Sequence, residues 1–331
     1  VLPPLRLVEM PVTAGRPEEK IEAGLLTELA GNATAEFFVH LRKQADLSAA
    51  EMLPTKEAKG QYVYTALKWA AEQTQGELLA TLRAAGAQPR SFFISNKILV
   101  RGNLALAQQL AAREDVARIT ANHAYQLPRP YKQQELGQVG GVEWNIAQIR
   151  ADAVWTALGV TGAGIVVADA DTGVSWTHTA LQGHYRGWDG AVADHNYNWH
   201  DATGTYPLEP GDGHGHGTHT TGTMVGDDGA GNQIGVAPGA QWIACKNMTD
   251  GGGGNDGTFT DCFEWLLAPT DLNGNNPRPD LAPDVINNSW GYGGGGAAQF
   301  RDEIAALQAA GILVEVSAGN EGPGCSTLRS P

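Results

Sequence analysis

The spacing of apolar and polar positions changes period along the chain and marks out its elements. From Ala35, AEFFVHLR reads as a strand; Lys56 to Ala85 then carries Val63, Leu67, Ala70, Leu78 and Leu82 at helical spacing, stopping at Gly86. SFFIS and KILVRG read as strands on either side of Asn96, Asn103 caps the helix LALAQQLAAR, and VARITANHAY closes the run as a strand. The order βαββαβ predicts a four-stranded sheet with two helices on one face, a small ferredoxin-like α+β unit over residues 34–125. Before it, residues 1–33 mix early prolines with the amphipathic EEKIEAGLLTELAG and are expected to form a loosely attached arm. After it, residues 126–141 are polar, broken by proline and ended by glycine, which marks a linker.

From Val142 onward the pattern is different. Apolar strands at 164–170, 241–246, 284–289 and 312–316 alternate with helical stretches at 216–226, 258–268 and 297–310. Such alternation predicts an α/β domain over 142–331, with a parallel sheet and helices on both faces.

Three stretches of this second domain carry chemistry. GDGHGHGTHTTGTMVG (211–226) places His216 at a glycine-flanked turn that runs into a small-residue helix. An imidazole there suits a general base. On its own the stretch equally suits a metal group of His214, His216 and His219, or a solvated loop. Upstream, an apolar strand opens into Asp171-Thr172-Gly173, where a carboxylate can orient an imidazole. Downstream, another apolar strand ends in Ala318-Gly319-Asn320-Glu321-Gly322, putting an amide where it can donate to a developing oxyanion.

Together, Asp171 in DTGV, His216 in HGTH, Ser289-Trp290-Gly291 in VINNSWG, Asn320 in SAGNEG, and GVAPGA at 235–240 resemble the subtilisin-like serine proteases. The resemblance implies that Asp171 holds His216, that His216 takes a proton from a serine, and that Asn320 stabilises the oxyanion. It implies polypeptide substrates bound as an extended strand between Ser289, Trp290 and Gly291 on one side and Gly251, Gly252 and Gly253 on the other. It also implies that residues 34–125 are an inhibitory prodomain, that processing falls in 126–141, and that no cofactor takes part in the chemistry. Asp169 is expected to be structural and deeper on the same strand face as Asp171. His178 and His219 are expected to be structural, and His214 to be solvent-exposed. Glu321 would favour a basic residue near the first substrate pocket.

Two features depart from the family pattern. Its nucleophile lies in a Gly-Thr-Ser-Met-Ala motif that these 331 residues do not contain, and Ser317, Ser326 and Ser330 lack that context. The expectation is the N-terminal part of a protease, interrupted before its nucleophile. The aspartate that helps bind calcium after DTG is replaced by Ala180, which argues against that site; the acidic loops Gly211-Asp212-Gly213 and Asp227-Asp228 suit either a structural ion or, more readily, an ordinary solvated turn. The rival readings are a protease fold used as a non-catalytic binding scaffold and a metal-dependent hydrolase; the latter lacks a carboxylate at helical spacing from the histidines.

Composition narrows the classes further. The net charge of −14 argues against a nucleic-acid or anionic-membrane surface, and no apolar run is long enough for a transmembrane helix. VLPPLRLVEMPV lacks the regions of a signal peptide, so a secreted protein would have lost its signal from this sequence. Of three cysteines, Cys245 in an apolar run and Cys262 in the helix TDCFEWLL are candidates for a disulfide, leaving Cys325.

Overall fold

The computed structural model describes residues 2–11, 15–127, 140–292 and 298–330. Most of the linker, and with it most of the expected processing segment, lies outside the described residues. The chain divides into two compact units, Val1–Ala124 with Phe300–Gly311, and Tyr125–Gln299 with Ile312–Pro331.

The first unit contains strand β1 (Ala35–Leu41), helices α1 (Lys56–Thr74) and α2 (Gly76–Ala84), strands β2 (Arg90–Phe92) and β3 (Lys97–Gly102), helix α3 (Leu104–Ala111) and strand β4 (Val116–Ala121). The strands form an antiparallel sheet ordered β2-β3-β1-β4, with Val39 opposite both Ile98 and Ile119. Because successive strand residues point to opposite faces, Phe37, Val39 and Leu41 share one face. They pack there with Leu78, Leu82 and Leu110. Leu25 and Leu29 are buried in the same cluster, so the segment expected to be a loose arm contributes to this core. Burying two leucines outweighs the early prolines that made the segment look detached, at about 2 kcal/mol each.

The other face of β1 is buried as well. Phe38 packs on Phe92 at 5.9 Å, and Lys97 Nζ lies 4.3 Å from the Phe38 ring centroid. Lys97 also pairs at 2.5 Å with Glu303, which stands on the helix Arg301–Ala309 and accepts from Ser95 Oγ at 2.7 Å. The helical pattern over 56–85 is interrupted at Gln75, whose buried amide donates to Phe92 O and Asn96 Oδ1. Asn96 sits at φ 43° in the turn between β2 and β3, so a tertiary hydrogen bond divides the helix where local spacing gave no sign.

The second unit opens with a short strand β5 (Ala124–Gln126) and is built on five parallel strands. These are β6 (Val166–Asp171), β7 (Trp199–Asp201), β8 (Gln241–Lys246), β10 (Val285–Asn288) and β11 (Leu313–Val316). They run β7-β8-β6-β10-β11, with helices α4 (His216–Val225) and α5 (Asp256–Leu267) in the connections and a short strand β9 (Gly253–Asn255) pairing with β5. Val167, Trp242, Ala244, Trp199 and Val225 form a core against this sheet. A Cys245–Cys262 disulfide fastens β8 to α5 across a Cα separation of 5.6 Å, whereas Cys325 is free and exposed. β7, only three residues long, has no signal in the hydrophobic pattern; it is recruited by parallel pairing of Trp199 with Ala244. Asp171 ends the central strand β6, at the carboxyl edge where open α/β sheets bind their ligands.

Candidate active site

Three glycines let β6 and α4 approach closely enough for their side chains to meet. Gly215 takes φ 91° ahead of α4, and a Cβ on Gly217 would run into Gly173 O. The Gly217 amide is thereby free to donate to Thr172 Oγ1 at 2.9 Å. Asp171, 1% exposed, accepts from His216 Nδ1 at 2.8 Å and from its neighbour Thr172 N at 2.7 Å. Burial opposes the imidazolium form of His216, but the hydrogen bond and charge of Asp171, with the charge of Asp212, raise its pKa above the usual 6.5. An imidazole fixed through Nδ1 in this way presents Nε2 as the base.

Asp212 organises the turn. Its carboxylate accepts from His214 N, Gly215 N, Thr218 N, Thr218 Oγ1 and Thr172 Oγ1, and these hydrogen bonds lower its pKa despite burial. His214 is half-buried, not solvent-exposed; its ring meets that of His216 edge-on at 6.1 Å, and the space over Gly252 accounts for its burial. His219 is exposed, while His178 accepts from Ala180 N through Nδ1.

The cleft side chains come together around Tyr125. Trp290 is 1% exposed, stacks on Phe259 at 4.1 Å and donates through Nε1 to Ala170 O. The Tyr125 ring lies 5.7 Å from Phe259, 6.3 Å from Trp290 and 5.4 Å from Tyr292. Gly291 N donates to the Tyr125 hydroxyl at 3.4 Å. On the glycine side, Leu127 N donates to Gly252 O and Gln126 Nε2 to Gly251 O, both at 2.8 Å, while Gly253 begins β9 beside β5. Gly252 has φ 77°, and a Cβ there would come 3.1 Å from Leu127 Cβ and 3.3 Å from His214 Nε2.

On the opposite edge, the backbone that follows Ser289-Trp290-Gly291 is also engaged, because Tyr292 N donates to Ser330 O at 2.6 Å. The Ser289 side chain turns away to Asn287. Asn320 is exposed, with its own N–H donating to Glu321. Glu321 is neutralised by Arg329, so in this structure it is not free to attract a basic side chain. Phe259 and Tyr292 were missed in the sequence; the interleaved aromatics of TFTDCF and SWGY were the available signal.

Residues 162–331 match the Subtilase family model, just over half of the chain. The chain is a subtilase. It is 40% identical to bacillopeptidase F of Bacillus subtilis over 302 residues, which is 86% of this chain and 21% of that protein. It is 33% identical to subtilisin DY of Bacillus licheniformis over 55% of this chain and 56% of that protein. It is 31% identical to the major intracellular serine protease of Bacillus subtilis over 58% and 53% respectively. The chain thus spans about a fifth of the first of these subtilases and about half of the other two.

Proposed function

We propose that the complete protein is a serine endopeptidase made as a zymogen, and that this chain holds its inhibitory segment and two members of its triad. The observation that carries the reading is the 2.8 Å bond between His216 Nδ1 and a buried Asp171 at the carboxyl end of the central strand. Asp171 orients His216 and stabilises it when protonated. His216 takes the proton of a serine nucleophile as that oxygen attacks the peptide carbonyl, and returns it to the leaving amine. We assign the nucleophile to sequence beyond Pro331, and Asn320 to the oxyanion.

Substrates are polypeptides bound in extended form. Tyr125, Gln126 and Leu127 support this role for the cleft, since they lie against Gly251–Gly253 with backbone hydrogen bonding of the kind an added peptide strand makes. They also support a zymogen in which residues 34–125 inhibit and their C-terminal end occupies the cleft, with cleavage in 126–141. Secretion is supported by the Cys245–Cys262 disulfide, a bond typical of oxidising compartments. Among the described residues no helix is long and apolar enough to cross a membrane.

The test is active-site labelling. A serine-directed organophosphate or sulfonyl fluoride should inactivate the complete protein, and the 331-residue chain should neither react with it nor hydrolyse peptides. Robust turnover by the 331-residue chain alone would overturn the assignment of the nucleophile.

A further inference from the structure

Directly behind the Asp171–His216 pair lies a second carboxylate that the proposed chemistry does not use. Asp169 is two residues earlier on β6, on the same strand face as Asp171 and 0% exposed. Its Oδ1 accepts from Asn287 Nδ2 of β10 at 2.9 Å; its Oδ2 lies 2.8 Å from Thr220 Oγ1 and 3.0 Å from Thr221 Oγ1, both on the helix that begins with His216. Two adjacent buried carboxylates do not both ionise readily, and one of them takes a proton. Asp171 accepts from the imidazole and from the Thr172 amide. Asp169 faces hydroxyls and a neutral amide.

The hydrogen-bond inventory around Asp169 has room for that proton. Thr220 Oγ1 is 3.0 Å from Gly217 O and 3.3 Å from His216 O, so it can donate its own hydrogen to a backbone carbonyl and accept one from Asp169. Thr221 and Asn287 remain donors to the two carboxyl oxygens. The ionisable groups on the elements packed on β6 are Asp171 from the same strand, His216 and the exposed His219 from α4, Asp256, Asp261 and Glu264 from α5, and Lys246 from β8, whose Nζ is turned to Thr172 O and Asp250.

We propose that Asp169 is a positioning residue held as a neutral carboxylic acid, which donates to Thr220 and locks the helix bearing His216 onto the strand bearing Asp171. The positioning role rests on the serine-protease reading of His216; the protonation state does not. Burial first, and then the charge of Asp171, push Asp169 up to about 8, against the hydrogen bonds it accepts. A neutral Asp169 leaves Asp171 as the charge that faces the imidazole.

The experiment compares the 331-residue chain with Asp169→Asn, a neutral isostere, in urea unfolding across pH 4.5 to 9. An acid whose folded pKa is raised stabilises the fold below its unfolded value near 4 and loses that contribution as pH rises toward 8. Wild type should therefore lose ground to D169N by about tenfold in unfolding constant per pH unit between roughly pH 5 and 7, levelling off above about 8. A flat difference, or one of opposite sign, overturns the proposal.

Carbon-13 titration of the Asp169 carboxyl in the wild-type chain checks the same point if the variant does not fold, and a midpoint below about 5, within the ordinary range, overturns it. In D169N the NMR midpoint of His216 should move by less than about 0.3; a drop of more than about half a unit would mean that a charge had been removed. These readouts need no turnover. If the complete protein hydrolyses nothing, the protease reading falls while the state of Asp169 is still decided.

Discussion

His216 gains its character from its neighbours: burial alone would lower its pKa, and the bonded Asp171 reverses the sign. On the proposed endopeptidase reading the general base is the neutral imidazole, so the acid limb of kcat/KM should fall as pH drops through a midpoint above 6.5, with one-proton slope. Asp171→Asn should lower that midpoint and reduce kcat by about ten-thousandfold. His216→Ala in the complete enzyme should reduce kcat by about a millionfold, the loss known for the histidine of subtilisin. His214→Ala should cost less than about tenfold in kcat, because its ring lies over Gly252 and not on Asp171. Similar losses for both histidines in steady-state kinetics would favour a different site. Gly252→Ala combines strain at φ 77° with a Cβ 3.1 Å from Leu127, and should raise KM for peptides several-fold with little change in kcat.

Elements in this protein are held by a few specific ties across them. The Cys245–Cys262 bridge closes a loop of separation 17 between β8 and α5. Replacing both cysteines with serine should cost about 3 kcal/mol, read as a lower urea midpoint with unchanged slope. In the first unit, Lys97 and Glu303 are 2% and 1% exposed and pair at 2.5 Å. Glu303→Gln leaves a buried ammonium without its counter-charge and should destabilise the chain by about 3 to 5 kcal/mol, more than Glu303→Gln with Lys97→Met together. Element positions were legible where periodicity was long, as in α1, α3 and β6. The boundary at Gln75 and the strand β7 were not, because a side chain reaching Asn96 and a parallel partner at Ala244 define them.

At the scale of the whole molecule, the zymogen reading predicts that residues 35–130, expressed separately, inhibit the mature enzyme at micromolar concentration. It also predicts a mature N-terminus within 126–142, readable by Edman or mass-spectrometric sequencing. No inhibition, or an N-terminus elsewhere, would remove the prodomain assignment. The sequence by itself determined the α/β class and offered Asp171, His216 and Asn320 as candidates, because glycine turns and apolar periods are local properties of the chain. Only the tertiary structure decided that Leu25 and Leu29 belong to the first core, that Asp212 ties down the histidine turn, and that Phe259 and Tyr292 complete an aromatic cluster with Trp290 around Tyr125. It also brought Asp169 against Thr220, Thr221 and Asn287. Apart from the bonds Asp212 makes within its own turn, those contacts bring together stretches tens to more than a hundred positions apart. Their energies depend on burial and on the geometry of approach, and neither is set until the sheet has formed.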